Sequence, residues 1–186
     1  KYEPIDCYKM EDAEYAIVGM GSFMETARTT VDWIQKKKKI KVGVVSVLSY
    51  RPFPSADIVK ALSKVKVVSV LERLDESSAP ENPLARDIKS AFADALWGHP
   101  GFEKIKTLPV IQHGAGGLGG RDVRSIHIEA IVDNMVKGAD GKIRYCVGIP
   151  HKDELPHADH EPDIRKPGTF CLRGHSIGGF GSVTTN

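Results

Sequence analysis

Ile40-Lys41-Val42-Gly43-Val44-Val45-Ser46-Val47-Leu48 is the stretch that decides the fold. β-branched side chains are stiff at χ1 and pack well on a pleated surface, so this valine-rich run favours a strand. It is nearly continuously apolar instead of alternating, the pattern of a strand covered on both faces in a parallel sheet. The same kind of run recurs on either side of it, each time separated by a helical segment. Upstream, Tyr15 to Met20 reads as a strand, and Gly21-Ser22 turns it into an amphipathic helix through about Gln35. The basic run Lys36 to Lys39, with Lys41, then falls where a helix ends, and solvated positive charge there complements the helix dipole. Downstream, Ser49 to Pro54 reads as a loop, and Ser55 with Asp57 starts a short helix to Leu62. Lys66 to Leu71 is a further strand. Pro83 opens a helix to about Leu96, proline being suited to a first helical position.

The alternation continues. A strand is expected from about Ile105 to Gln112, ending in the glycine cluster 114–120. Asp122 to Val136 reads as a helix with Val123, Ile126, Ile131 and Val132 or Met135 on its buried face. Gly138 to Gly141 terminates it, and Ile143 to Val147 is a short last strand. Strands alternating with helices define an α/β domain, an open and mostly parallel sheet with helices on both faces, over residues 1–147. Residues 148–168 are rich in Pro, His, Asp and Glu without periodicity and read as a linker. Residues 169–186 then open a second α/β unit with a strand and a glycine turn. The start without Met and the end inside a glycine loop suggest a piece of something longer.

Composition narrows the function. The chain has 186 residues, 41% hydrophobic and 27% charged, with a net charge of +2. That balance is ordinary for a globular protein and argues against a general nucleic-acid binder, whose basic face would raise the total. No apolar stretch approaches the roughly 20 residues of a membrane span, and no signal peptide opens the chain. Cys7, Cys146 and Cys171 are far apart and odd in number, which excludes a self-contained iron–sulfur or zinc site and fits a cytoplasmic protein.

Ligands in open α/β sheets bind at the carboxyl ends of the strands, so the candidate sites are the loops there. Gly19-Met20-Gly21-Ser22 reads as a tight structural turn, because Met24 stands where a dinucleotide loop has its third glycine. Gly114 to Gly119 meets G-x-G-x-x-G, but the following strand ends Tyr145-Cys146-Val147-Gly148 without the acid that would hold a ribose. It is therefore read chiefly as a flexible interface loop. In Arg51-Pro52-Phe53-Pro54 two prolines fix the backbone. Its Arg51 either caps a carbonyl or pairs with Glu72 or Asp75, or else makes an interface with a neighbouring subunit. Glu72-Arg73-Leu74-Asp75-Glu76 has the carboxylates of an acid–base pair but reads as exposed charge at a strand end. His157 and His160 lack fixed geometry for a metal. Gly174 to Gly181 is the strongest ligand site. Its glycines let the backbone approach an anion, Ser176, Ser182 and Thr184 offer hydroxyls, and Arg173 offers charge. Neither a phosphate loop ending in Lys-Ser or Lys-Thr nor a G-x-S-x-G elbow is present.

Three segments in this order carry a resemblance. Glu14 to Ser22, Arg51 to Pro54 and Val68-Ser69-Val70-Leu71-Glu72-Arg73 resemble the second domain of the 2-oxoacid:ferredoxin oxidoreductases. That domain is similar to the Rossmann-like C-terminal domain of transketolase. Gly114 to Gly120 resembles the domain's glycine stretch, and Phe170 to Asn186 the start of the family's gamma-type, coenzyme A-binding domain. The resemblance implies an enzyme that oxidatively decarboxylates a 2-oxoacid, pyruvate first among them, to acyl-coenzyme A. The whole enzyme would use thiamine diphosphate with Mg2+, 4Fe–4S clusters and coenzyme A, none of them held entirely by this segment, which would be a non-catalytic scaffold. Ferredoxin or flavodoxin would accept the electrons. The partners would be other domains or subunits of a homo-oligomeric enzyme, with neither nucleic acid nor membrane involved. Carried over residue by residue, Ser176, Ile177, Gly178 and Gly179 would bind the coenzyme A phosphate, and Arg51 and Phe53 would lie at an interface. Two alternatives remain open: an independent nucleotide-binding or regulatory module, and the C-terminal domain of a transketolase or 2-oxoacid dehydrogenase.

Overall fold

The computed structural model describes residues 3–165 and 168–170. The described residues form six strands, β1 (Ile5–Tyr8), β2 (Tyr15–Gly19), β3 (Val42–Val47), β4 (Val67–Glu72), β5 (Val110–Gly116) and β6 (Arg144–Val147). They also form four α-helices, α1 (Phe23–Lys38), α2 (Ser55–Leu62), α3 (Pro83–Trp97) and α4 (Ser125–Val136). All six strands join one sheet in the order β1-β3-β2-β4-β5-β6. β2 to β6 are parallel, and only β1 runs antiparallel, with Ile5 opposite Val47.

The expected open, mostly parallel α/β sheet is what the chain builds. Both faces are covered because β3 is buried along its whole length and needs apolar partners on each side. On one face Ala27, Val31 and Ile34 of α1 and Ile128, Ile131 and Met135 of α4 pack over Ile17, Val42 and Val44. On the other, Ile58 and Leu62 of α2 and Ile88 and Phe92 of α3 pack over Val18, Val45 and Val68. The chain leaves β2 for β3 on one side and returns to β4 on the other. This reversal falls between β2 and β4, and the carboxyl ends of strands at such a point are where open α/β sheets bind ligands.

Four local expectations are corrected. β1 has no counterpart in the sequence reading. Its four residues are a short edge strand of mixed polarity, held through pairing with a strand almost forty positions away. β5 starts at Val110, later than expected, because Pro109 has no N–H to donate to a ladder. It then runs through Gly116, so Gly114 and Gly116 are strand residues and not loop. A side chain at Gly114 would overlap the Tyr145 ring of β6, and one at Gly116 would press on Val147. α4 begins at Ser125, after an extended Arg124.

The segment after β6 also departs from a plain linker. Cys146 bridges Glu154 in parallel, Leu155 donates its N–H to the Cys146 carbonyl at 3.0 Å, and the Leu155 side chain is 2% exposed within the core. Residues 153–155 thus cover the outer edge of β6, while β1 forms the opposite edge. No helix among the described residues is long and apolar enough to cross a membrane.

Candidate functional site

The carboxyl ends of the parallel strands carry loops 20–22, 48–54, 73–82 and 117–124. Local sequence dictates the shape of each. Gly19 ends β2 pressed against Met24, Phe23 and the Leu71 carbonyl, and Gly21 turns at φ +89° into α1. Met24 is buried, so this turn serves packing, in line with its structural reading. After β5, Gly117, Gly119 and Gly120 all take positive φ (74°, 63° and 76°), a conformation L side chains rarely adopt.

Glu72 sits at the end of β4 and is half-buried, not exposed as its position suggests. Its carboxylate accepts the N–H groups of Leu84 at 2.9 Å and Ala85 at 3.3 Å, two of the free donors at the start of α3. Burial raises its pKa, and the two N–H bonds oppose that rise. Glu72 therefore fixes α3 to the sheet. Asn82, preceding Pro83, is buried and donates to the Leu74 carbonyl at 2.7 Å while accepting the Glu76 N–H at 2.9 Å. Loop 73–82 is thereby pinned to the helix it leads into.

Arg51 lies in an Arg-Pro turn with a cis peptide at Pro52. Its guanidinium bonds Asp87 of α3 at 2.9 Å and the Tyr50 carbonyl at 3.0 Å, and stacks 3.9 Å from the centre of the Tyr50 ring. Neither Glu72 nor Asp75, the partners expected from sequence, takes it. Asp75 instead holds Arg144 at 2.9 Å, while Glu72 is committed to α3. Phe53 packs edge-on to Tyr50 with ring centres 5.9 Å apart and closes the rim of the α2/α3 core. Arg51 is still 61% exposed, so its other face is open.

At the start of α4 a residue that sequence reasoning did not single out proves central. His127 is buried, and its Nδ1 accepts the Arg124 N–H at 3.1 Å. Its ring meets His157 edge-on at 5.4 Å. Burial first, then the neighbouring Arg124 and His157, lower its pKa to about 4, with Glu154 opposing. The available signal was its place three positions beyond Arg124, the residue that caps a helix. A cleft of about 480 Å³ opens here, lined among others by Arg121, Asp122, Arg124, His127 and His157. His113 is equally buried, inside β5, where desolvation lowers its pKa.

The cofactor expectations can be tested against the donors present. Cys7 lies on β1 and Cys146 on β6, the two outermost strands, so these thiols cannot share a cluster. Among the described residues no group of three His, Cys, Asp or Glu side chains is placed to hold a metal ion. The described residues therefore do not fit an iron–sulfur cluster or a resident cation. Ser176, Ile177, Gly178 and Gly179, expected to meet coenzyme A, lie outside the described residues, as does His175.

The molecule is thus a doubly wound α/β domain whose carboxyl-end carboxylates serve chiefly to join loops and helices. The family model for pyruvate:ferredoxin oxidoreductase core domain II matches residues 13–131. The chain is 34% identical over 192 residues to a pyruvate-flavodoxin oxidoreductase of Enterobacter agglomerans, covering 100% of this chain and 15% of that protein. It is 30% identical over 190 residues to pyruvate:ferredoxin oxidoreductase of Moorella thermoacetica, with the same coverage. Against pyruvate synthase subunit PorA of Thermotoga maritima it is 32% identical over 138 residues, 74% of this chain and 32% of the subunit. The chain belongs to the pyruvate:ferredoxin oxidoreductase family, as a core domain II. It spans about 15% of the length of these two longer relatives.

Proposed function

We propose that this segment is a structural part of a pyruvate:ferredoxin or pyruvate:flavodoxin oxidoreductase that converts a 2-oxoacid, coenzyme A and an oxidised electron carrier into acyl-coenzyme A, carbon dioxide, protons and the carrier reduced by two electrons. The observation that carries this is the end-to-end similarity of the chain to one stretch of much longer pyruvate oxidoreductases. Thiamine diphosphate with Mg2+, the 4Fe–4S clusters and most of the coenzyme A site would be supplied by other domains of a homo-oligomeric, cytoplasmic enzyme. The domain organisation is 1–147 as the α/β domain, 148–168 as a connection packed in its first part onto β6, and 169–186 as the start of a coenzyme A-binding domain. Ser176, Ile177, Gly178 and Gly179 would offer backbone N–H groups to a coenzyme A phosphate, and Arg51 and Phe53 would face a neighbouring domain. The role of Glu72, Asp87 and Asp75 in holding α3, Arg51 and Arg144 supports a scaffold over an acid–base centre.

The test is an assay on the whole protein that contains this chain. It is expected to reduce ferredoxin or flavodoxin in the presence of pyruvate and coenzyme A, and to lose that activity when thiamine diphosphate is removed. Absence of reduction with pyruvate and with other 2-oxoacids, in a protein loaded with its cofactors, would refute the proposal.

A further inference from the structure

Two linked guanidinium groups at the carboxyl end of the sheet hold no carboxylate within ion-pair distance among the described residues. Arg73 follows β4, Arg121 follows the left-handed glycines after β5, and both are exposed. Arg73 donates through Nη2 to the Arg121 carbonyl at 3.5 Å, and Arg121 through Nη1 to the Leu118 carbonyl at 3.3 Å. Gly117 is shaped to this arrangement, because a Cβ there would stand 2.6 Å from Arg73 Nε. Arg28, Arg51, Arg124, Arg144 and Arg165 each hold a carboxylate within ion-pair distance, whereas the exposed Arg86 of α3 does not and, unlike Arg73 and Arg121, is not joined to a second arginine. The nearby acids are committed elsewhere: Glu72 to α3, Asp75 to Arg144 and Glu76 to Ser78. Asp122, next in the chain, forms no ion pair with either arginine among the described residues.

Two exposed apolar side chains lie at the same end of the sheet. Leu74, directly after Arg73, is 42% exposed and Met20, after the adjoining β2, is 36% exposed. Arginine and methionine beside apolar surface is a composition enriched at protein interfaces. A neighbouring domain laid over this edge would remove two positive charges from water. Leaving them unpaired there is costly, so the covering surface must bring negative charge. The planar guanidinium fork matches a carboxylate with two parallel hydrogen bonds. A small phosphate would satisfy the charge but leave Leu74 and Met20 uncovered.

We infer that Arg73 and Arg121 form a docking site for an acidic side chain of a neighbouring domain of the same enzyme. The inference rests on the multidomain enzyme proposed above. Its test does not depend on which substrate that enzyme uses, so the failures of the two are distinguishable.

The experiment uses the whole protein with Arg73→Lys and Arg121→Lys introduced singly. Each substitution keeps the charge and supplies an amine that a carbodiimide can join, at zero length, only to a carboxylate in contact. Peptide mapping is expected to find the new amines joined to an Asp or Glu outside residues 1–186, at several-fold higher yield than at Lys36 or Lys37. Those two lysines are exposed at the far end of α1. Joining only to Asp122 or Glu76 would overturn the inference. So would amines that acetylate in the whole protein as freely as Lys36 and become protected only on adding coenzyme A, which would make this a small-anion site. A fold-neutral result is checked by unchanged circular dichroism of both variants.

Discussion

The two ends of the sheet solve the same problem in opposite ways. At the amino ends of the strands two buried amides close on one another. Gln112 and Asn134 are buried, Asn134 donates to the Gln112 side chain and the Lys142 carbonyl and accepts the Lys142 N–H, each at 2.9 Å, and Gln112 donates to the Gly138 carbonyl at 3.0 Å. Lys66 pairs with Glu14, and Lys41 with Asp12. At the carboxyl ends, Glu72 and Asn82 likewise serve internal structure, yet Arg73 and Arg121 find only carbonyl oxygens. The amino end thus buries a pair of amides, whereas the carboxyl end carries two guanidinium groups bonded only to carbonyls. Exposed apolar side chains do not separate the ends so cleanly, since Trp97 is 82% and Leu108 52% exposed at the amino end. Nor does charge, since Lys39, Lys64, Lys104, Lys106 and Lys137 at the amino end are exposed and hold no ion pair among the described residues; what distinguishes the ends is the buried Gln112–Asn134 pair.

The contrast can be broken at its strongest point first. Asn134→Ala should cost about 3 kcal/mol in urea unfolding of this chain, because it leaves the buried Gln112 Oε1 and both Lys142 backbone groups without their partner. A loss under about 1 kcal/mol would mean that water enters the amino end and that its network is no tighter than the rim opposite.

His127 sharpens the comparison through pH. The unfolded chain takes up a proton near pH 6.5, whereas the folded chain holds His127 neutral until about pH 4. Acid therefore favours unfolding: the stability is complete above about pH 6.5 and is lost as pH falls toward 4. By linkage, about 2 kcal/mol should disappear between pH 6.5 and about 4.5, and His127→Asn should remove most of that dependence. Equal acid sensitivity of the two proteins would show that His157 and Glu154 reorganise to accept the charge. The smallest effect belongs to the unmatched pair. Arg73→Ala together with Arg121→Ala should change the stability of this chain by no more than about 0.5 kcal/mol, since neither holds an ion pair within it. A loss above 1 kcal/mol would mean that the loop 117–122 needs these side chains for its own structure.

How far the sequence was legible depends on the distance over which each feature is decided. α2 (Ser55–Leu62) starts and ends where Ser55 and Leu62 suggest, and α3 opens at Pro83, because caps and a first-turn proline act within one turn of backbone. β1 was missed, since nothing within four mixed residues reports a partner at Val44 to Val47. The glycine pattern at 114–119 reads as a loop from spacing alone, yet its first half is strand. Spacing cannot show that Tyr145 and Val147 on the neighbouring strand exclude side chains there.

The candidate site divides along the same line. That Arg51 follows a buried strand and stands in a rigid proline turn is written in the chain. That Asp87 of α3 takes it, and not Glu72 or Asp75, follows from how α3 packs. By itself the sequence determined the alternation of strands and helices, both faces of the sheet being buried, and the carboxyl ends as the place for function, because periodicity and apolar runs are properties of neighbouring residues. Only the tertiary structure decided which carboxylates meet which arginines, and so left Arg73 and Arg121, like Arg86, without one, because an ion pair depends on side chains tens of residues apart reaching the same few ångströms.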